Sequence, residues 1–121
     1  MPRTEIYLYR GEDGSVPVLQ WLDSLSEKAR LKCTNKISRL AELGHELRRP
    51  EADYLRDGIY ELRASYLGVR YRLLYFFAGM AVVVVSHGIT KKREVPDKEI
   101  EHAIKRKTQV ATEFKRYTYR P

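Results

Sequence analysis

The chain reads IYELRASYLGVRYRLLYFF from Ile59 to Phe77, and this stretch decides the fold. Apolar and aromatic residues alternate with charged ones along it, which is the period-2 pattern of β-strands. Gly68 interrupts the alternation and predicts a hairpin turn. A four-residue loop that pairs Ala64 with Val69 fits the pattern. The stretch therefore predicts two antiparallel strands with one apolar face and one charged face.

The predicted hairpin brings four charged side chains together on one face. In this register Arg63 lies across from Arg70, and Glu61 lies across from Arg72. Two neighbouring arginines repel each other, so a phosphate that both can bind would stabilise them. The opposite face carries apolar residues: Tyr60, Leu62, Ala64, Val69, Tyr71 and Leu73. The pairing predicts an anion-binding face that is open to solvent.

The residues before the hairpin predict one strand and two helices. Residues 3–10 alternate as a short strand does. Apolar residues then recur with helical spacing from Val18 to Leu25. Ser26 is a predicted cap for a second helix, which ends at Gly44. Because Cys33 lies on the apolar stripe of that helix, we interpret it as a core residue rather than a nucleophile.

The residues after the second helix predict a connection, a strand and a third helix. Residues 45–57 are interpreted as a polar connection. Residues 80–86 lack alternation, which is typical of a central strand covered on both faces, and this strand is predicted to end at His87. Pro96 opens a helix with acidic residues first and basic residues later. Residues 115–121 lack a clear period and are predicted to be a mobile tail.

This order of elements predicts a single α+β domain over residues 1–121. We expect an antiparallel sheet with the N-terminal helical hairpin packed on one face and a C-terminal helix beside it. A chain of this length can bury a core without disulfides or a structural metal.

Composition limits the cellular compartment in which the protein is expected and the metals or cofactors that it could use. The single Cys33 excludes an internal disulfide and predicts a reducing, cytoplasmic setting. The N-terminus lacks the apolar region of a secretory signal, and no apolar run approaches the roughly 20 residues of a membrane span. His45, His87 and His102 are scattered without metal-ligand spacing, and no nucleotide-binding glycine loop is present. We therefore expect no metal and no cofactor.

The positive charge is concentrated in the second half of the sequence. Residues 1–55 carry nine Lys and Arg against nine Asp and Glu, whereas residues 56–121 carry fourteen against seven, which accounts for the net charge of +7. Such a surface favours nucleic acid, although an acidic protein, a membrane surface or no partner also fits. The basic triplet Lys91, Lys92 and Arg93 follows the third strand of the sheet. We expect it to close over the groove that holds the arginines.

RNA cleavage without a metal would use the RNA's own 2′-hydroxyl as the nucleophile. The protein would supply a base, an acid for the leaving group and charge stabilisation. Arg63 and Arg72 are suited to the last of these. Glu61, His87 or a tyrosine could transfer protons, and the sequence does not choose among them. Nearby aromatic residues, such as Tyr66, could stack bases.

Several segments, taken in order, resemble the RelE/ParE toxin superfamily. They are LRDGIYELR at 55–63, YRLLY at 71–75 and HGITKK at 87–92. The segment PVLQWL at 17–22 and the stretch 96–103 further resemble its phage-derived HigB-like branch. The resemblance extends from Ile6 to about Ile104.

This resemblance implies the toxin of a type II toxin–antitoxin pair with a helix-turn-helix antitoxin. RelE- and HigB-like members cut mRNA in the A site of the 70S ribosome without a metal, whereas ParE-like members poison DNA gyrase. Of the basic residues on which the cleaving members depend, Arg63 and Arg72 match two, and Lys92 or Arg93 matches the third. RelE's first-strand lysine falls at Glu61, and its late catalytic tyrosine has no clear match.

The expected function is therefore a ribosome-dependent mRNA endonuclease. Arg63 and Arg72 would bind the scissile phosphate, and Glu61 or His87 would transfer protons. Arg70 and the basic triplet would hold mRNA or ribosomal RNA. Two alternatives stay open: a ParE-like inhibitor of gyrase, and a nucleic-acid-binding module without activity.

Overall fold

The computed structural model describes residues 3–90 and 93–121 of the chain. These residues form an α+β domain, which confirms the predicted class. The elements, in order, are β1 (Glu5–Tyr9), α1 (Pro17–Asp23), α2 (Glu27–Leu43), a 3-10 turn (Gly44–Glu46), β2 (Ala52–Arg56), β3 (Ile59–Tyr66), β4 (Val69–Phe77), β5 (Val82–Thr90), α3 (Asp97–Thr112) and β6 (Thr118–Tyr119).

The strands form one sheet in the order β2-β3-β4-β5-β1-β6. Strands β2 to β5 make an antiparallel meander, and β6 is antiparallel to β1. The pair β1–β5 is parallel, so the sheet departs from the expected antiparallel arrangement at this one place among the described strands. The helices α1 and α2 lie in the connection that leads away from β1. Strand β5 continues past His87, its predicted end, to Thr90.

Both faces of the sheet are covered. Helices α1 and α2 pack on one face, where Val18 and Leu40 join Leu62 and Leu73 in a core. Helix α3 packs on the other face through a second apolar set: Ile100, Ala103 and Val110 against Ile59, Leu74 and Phe76. The charged face that the hairpin pattern predicted to be open to solvent is therefore partly covered by α3. The unbroken apolar run from Leu73 to Phe76 is the sequence signal of this two-sided burial.

The predicted register of the β3–β4 hairpin was wrong by two residues. Tyr66 pairs with Val69, and the turn between them consists of Leu67 and Gly68, which both have positive φ angles of 51° and 78°. A shift of two keeps every side chain on its predicted face. It changes the neighbours, however: Arg63 lies opposite Arg72 instead of Arg70. The observed register gives the β3–β4 ladder two more residue pairs than the predicted one. The free energy of these pairs outweighs the strain of a leucine in the left-handed region of backbone conformation.

Replacing Leu67 with asparagine is expected to stabilise the protein by about 1 kcal/mol, because asparagine followed by glycine is the preferred two-residue hairpin turn. The side chain of Leu67 is 82% exposed, so little packing is lost. Leu31→Asn is the matched control, since Leu31 is also exposed but lies in helix α2. Urea unfolding should show a higher midpoint for Leu67→Asn alone. A midpoint that falls in both variants would contradict the proposed relief of turn strain.

Two segments without predicted regular structure belong to the sheet. Strand β2 lies within the predicted polar connection 45–57, and it joins β3 through a turn at Asp57 and Gly58, with φ angles of 51° and 82°. Aspartate followed by glycine is a strong hairpin signal. The tail predicted at 115–121 instead contributes β6, where Thr118 is buried and pairs with Tyr9 of β1. Backbone pairing with β1 holds this end of the chain in place.

The local signals of helix α2 are confirmed. The hydroxyl of Ser26 accepts a hydrogen bond of 3.2 Å from the backbone N–H of Ala29, and Gly44 ends the helix with a φ of 52°. Cys33 is fully buried, and burial raises the pKa of its thiol to about 11. The thiol is therefore protonated and inert at neutral pH, as expected of a core residue.

Candidate functional site

A groove of about 470 Å³ lies where the β3–β4 hairpin meets the start of β2. Its lining residues are Lys36, Pro50, Glu51, Arg63, Ala64, Ser65, Arg70, Tyr71 and Arg72. The structure thus brings together three of the predicted anion-binding residues: Arg63, Arg70 and Arg72. With Lys36 from helix α2 they set four cations against the one carboxylate of Glu51. This excess of positive charge in a concave site favours an anionic ligand.

Arg72 is buried, although it was predicted on a solvent-facing surface. Its side chain is only 7% exposed, and it lies on the face of the sheet that α3 partly covers. The Nε atom lies 3.4 Å from Oε1 of Glu61, which is an ion-pair distance without hydrogen-bond geometry. Among the described residues, neither Nε nor Nη1 of Arg72 has a hydrogen-bond partner. A buried charged donor without an acceptor is unfavourable by about 1–3 kcal/mol or more, and Arg72 carries this charge in the lining of the groove.

Glu61 and Asp53 hold the second arginine of the pair. The Nε atom of Arg63 donates to Oε1 of Glu61 at 2.9 Å, and its Nη2 atom donates to Oδ2 of Asp53 at 3.2 Å. Glu61 is 3% exposed, contacts Arg63 and Arg72 through the same oxygen, and lies behind the groove rather than in its lining. Arg63 keeps 37% of its side chain exposed. Two carboxylates thus fix Arg63, while its outer surface stays available.

Asp53 also links this pair to the outer surface. Its Oδ1 atom lies 3.0 Å from Nε of Arg49, a residue whose side chain is 76% exposed. Hydrogen bonding to Arg49 is the main cause that lowers the pKa of Asp53, and the charge of Arg63 acts in the same direction. Asp53 is therefore ionised at neutral pH and joins the two arginines electrostatically.

The structure does not bring His87 to the groove. His87 in β5 pairs with Leu74 in β4, and Leu74 pairs with Glu61 in β3. The backbones of His87 and Glu61, the two candidates for proton transfer, are therefore two strand spacings apart, or about 10 Å. The imidazole is 9% exposed and lies 3.1 Å from Glu99 and 2.7 Å from the Ser86 hydroxyl. Burial, followed by the charge of Arg106, lowers the pKa of His87. A neutral ring that donates from Nε2 to Glu99 and accepts at Nδ1 from Ser86 satisfies both contacts.

The structure describes some, but not all, of the other residues that were predicted to contact RNA. Lys91 and Lys92 lie outside the described residues, and Arg93 is exposed. Thr90, the last residue of β5, pairs with Tyr71 in the lining of the groove. Of the aromatic residues near the site, Tyr66 is half-buried, whereas Phe76 is 1% exposed and belongs to the core beneath α3.

Sequence reasoning missed the contribution of β2 and α2 to this site. Glu51 accepts hydrogen bonds from Lys36 at 3.2 Å and from Arg39 at 3.0 Å, and these contacts lower the pKa of Glu51. Asp53 is the other missed residue. The turn signal at Asp57 and Gly58 predicts a strand on either side of it, and that strand would have placed both acids beside β3.

Two general features of the described residues bear on the class of protein. No helix among them is long and apolar enough to cross a membrane. Within the same ranges, 3–90 and 93–121, no group of three or more His, Cys, Asp or Glu side chains has the arrangement to hold a metal ion.

The architecture and its arginine groove define the class: a small α+β domain with a RelE-like fold. The family model of the phage-derived Gp49-like proteins matches residues 20–108, which is most of the chain. The chain therefore belongs to the Gp49-like family, a RelE-like toxin family that occurs in a toxin–antitoxin context. No curated protein matches the chain. Its assignment to the HigB-like branch stays a prediction.

Proposed function

We propose that this protein is the toxin of a type II toxin–antitoxin pair and cuts mRNA on translating ribosomes. The observation that carries the proposal is the buried guanidinium of Arg72, whose Nε and Nη1 atoms lack partners among the described residues. It lines a cationic groove opposite the partly exposed Arg63. Membership of a RelE-like toxin family supports the same function.

The proposed chemistry is transesterification within the RNA strand. The 2′-hydroxyl next to the scissile phosphate loses its proton to water and attacks the phosphorus, which forms a 2′,3′-cyclic phosphate. The bond to the 5′-oxygen of the following nucleotide breaks, and that oxygen takes a proton from water. Negative charge develops on the phosphoryl oxygens, and Arg63 and Arg72 stabilise it through guanidinium hydrogen bonds. Fixed donors that are shielded from water, as in the buried side chain of Arg72, are worth more than the same donors in water.

The roles of the other candidates follow from their positions. Glu61 touches both arginines but does not line the groove, so we assign it to positioning them. His87 is held under α3 by Ser86 and Glu99 and takes no part in the proposed site. The protein's own contribution is therefore phosphate binding and charge stabilisation by the arginine pair. We infer that Arg70 and Arg93 contact RNA, and that Lys91 and Lys92 do so on sequence grounds.

The proposed partners are mRNA and the ribosome in the cytoplasm, together with a helix-turn-helix antitoxin that would block the toxin. A ParE-like inhibitor of gyrase is the competing function. Such an inhibitor has no use for a buried arginine whose Nε and Nη1 atoms lack hydrogen-bond partners among the described residues, because its action requires no phosphate chemistry.

The decisive experiment adds the purified protein to translating ribosomes with a labelled reporter mRNA. We expect cuts within the translated region, and an intact mRNA when ribosomes are omitted. Lys28→Ala, which removes an exposed charge outside the groove, should cut as well as the parent protein. Translation arrest with intact mRNA would exclude the nuclease, and inhibition in a gyrase supercoiling assay would then favour the competing function.

A further inference from the structure

We infer that the arginine groove continues along the β2 edge of the sheet into a second site, which stacks a nucleobase on Tyr54. This inference rests on the proposed function, because it assigns the path of the same RNA strand beyond the scissile phosphate. The ligand is a single-stranded nucleic acid whose phosphates follow the basic residues and whose base contacts the tyrosine ring.

Three adjoining hollows form the path. The arginine groove shares Lys36, Pro50 and Glu51 with a hollow of about 430 Å³ beside the 3-10 turn. That hollow shares Leu47, Arg48 and Arg49 with a third one, of about 530 Å³, at the outer edge of β2. A strand that leaves Arg63 can therefore pass from one hollow to the next around the start of β2.

The charge along this path matches a phosphate backbone. Its lining holds seven cations and three carboxylates. The cations are Lys36, Arg39, Arg48, Arg49, Arg63, Arg70 and Arg72, and the carboxylates are Glu46, Glu51 and Asp53. Four of the cations come from the first half of the sequence, where positive and negative charges balance. The fold thus brings basic residues from an electrically neutral half of the sequence to one surface path. A path with this excess of positive charge favours a polyanion as its ligand.

Aromatic side chains lie at the far end of the path. Tyr54 is 53% exposed, although large apolar side chains on a sheet are more often covered. Its hydroxyl accepts a hydrogen bond of 3.0 Å from the backbone N–H of Gly58, and its ring meets Tyr60 edge to face at 5.0 Å between centroids. Tyr60 in turn stacks on Tyr75 at 5.3 Å. The exposed ring is held in one orientation before any ligand arrives, which lowers the entropic cost of stacking a base on it.

The distance between the two sites suits one strand. Tyr54 lies three residues along the chain from Glu51, which precedes β2 and lines the arginine groove, so the two are about 10 Å apart at the usual rise of an extended strand. A stacked single strand advances about 3.4 Å per nucleotide, so a base a few nucleotides from the scissile phosphate reaches Tyr54. Basic grooves that end in exposed aromatic rings are the usual design of single-strand binding sites.

The test compares two labelled strands of about ten nucleotides, the size that such grooves bind, by fluorescence anisotropy. Both carry 2′-O-methyl groups, which block the nucleophile, and one has abasic units in place of its central bases. Tyr54→Ala should weaken binding of the complete strand roughly tenfold and leave binding of the abasic strand unchanged. Tyr54→Phe keeps the stacking ring but loses the hydrogen bond that helps to orient it, so its binding should stay within about threefold of the parent protein, whereas Tyr54→Leu should behave as Tyr54→Ala. Tyr119→Ala removes an exposed tyrosine from the opposite edge of the sheet and is the matched control.

Three results would overturn the stacking site: an equal loss on both strands, parent-like binding by Tyr54→Leu, or no loss in Tyr54→Ala. Failure of this inference and failure of the proposed function are distinguishable. Intact mRNA on translating ribosomes, together with the expected pattern of oligonucleotide binding, excludes the nuclease and leaves the stacking site. Cleavage by the parent protein, together with unchanged binding by Tyr54→Ala, excludes the stacking site alone.

Discussion

Arg72→Met is expected to abolish mRNA cleavage, by about 100-fold or more, while the protein becomes more stable by about 1 kcal/mol. The loss of activity follows from the removal of the guanidinium group that we propose binds the phosphate. The gain in stability follows because methionine fills the buried space and removes the two donors that lack hydrogen-bond partners among the described residues, while Glu61 keeps its hydrogen bond to Arg63. Cleavage on translating ribosomes and urea unfolding measure the two effects.

Arg72→Lys separates charge from geometry at this position. Lysine retains the positive charge but cannot present two parallel donors to a phosphate, so cleavage should stay strongly reduced. Lys28→Met is the control, because it replaces an exposed cation by methionine on the surface of α2. If Arg72→Met cuts mRNA normally, the proposed phosphate site is wrong. If Arg72→Met unfolds at a lower urea concentration than the parent protein, the buried charge of Arg72 does not destabilise the fold as we expect.

Glu61→Gln is expected to destabilise the protein by about 3 kcal/mol, because it removes the carboxylate between two facing arginines, one of which is buried. Arg63 retains Asp53 as a partner, but Arg72 is left as an uncompensated buried charge. Urea unfolding near pH 7 measures the loss. The double variant Glu61→Gln with Arg72→Met should recover most of the stability, since the charge that needed compensation is gone.

An exposed ion pair supplies the comparison for Glu61. Glu113 contacts Arg116 at 3.3 Å with more than half of each side chain exposed, so Glu113→Gln should change stability by less than about 0.5 kcal/mol. A similar, small change in both variants would show that Glu61 contributes nothing special to the fold. A double variant as unstable as Glu61→Gln alone would show that Arg72 is not the residue that Glu61 compensates.

Local patterns predicted both strands of the β3–β4 hairpin and the face of the sheet on which each of their side chains lies. The alternation from Ile59 to Phe77 assigns each side chain to a face, and a register error of two residues preserves that assignment. The caps of α2 and the core position of Cys33 depend only on neighbouring residues, so they too follow from sequence. Arg63, Arg70 and Arg72 were thus expected on one face, and all three line the groove.

The burial of Arg72 depends on contacts between distant segments. The apolar stripe of α3 shows that the helix packs on something, but not on which face of the sheet. Only the run from Leu73 to Phe76, apolar on both faces, indicates that the second face is covered. The contribution of Asp53 depends on the pairing of β2 with β3, and the polar composition of residues 45–57 conceals that strand.

The parallel pairing of β1 with β5 has a consequence for how the chain folds as it is made. Leu8 pairs with Val85 and with Tyr119, which leave the ribosome 77 and 111 residues after it. Strand β1 therefore has no partner strand while most of the chain is being made. Strands β2, β3 and β4, in contrast, are close in sequence and can pair soon after they are made. The six-stranded sheet is therefore complete only after β6 has been made and has paired with β1.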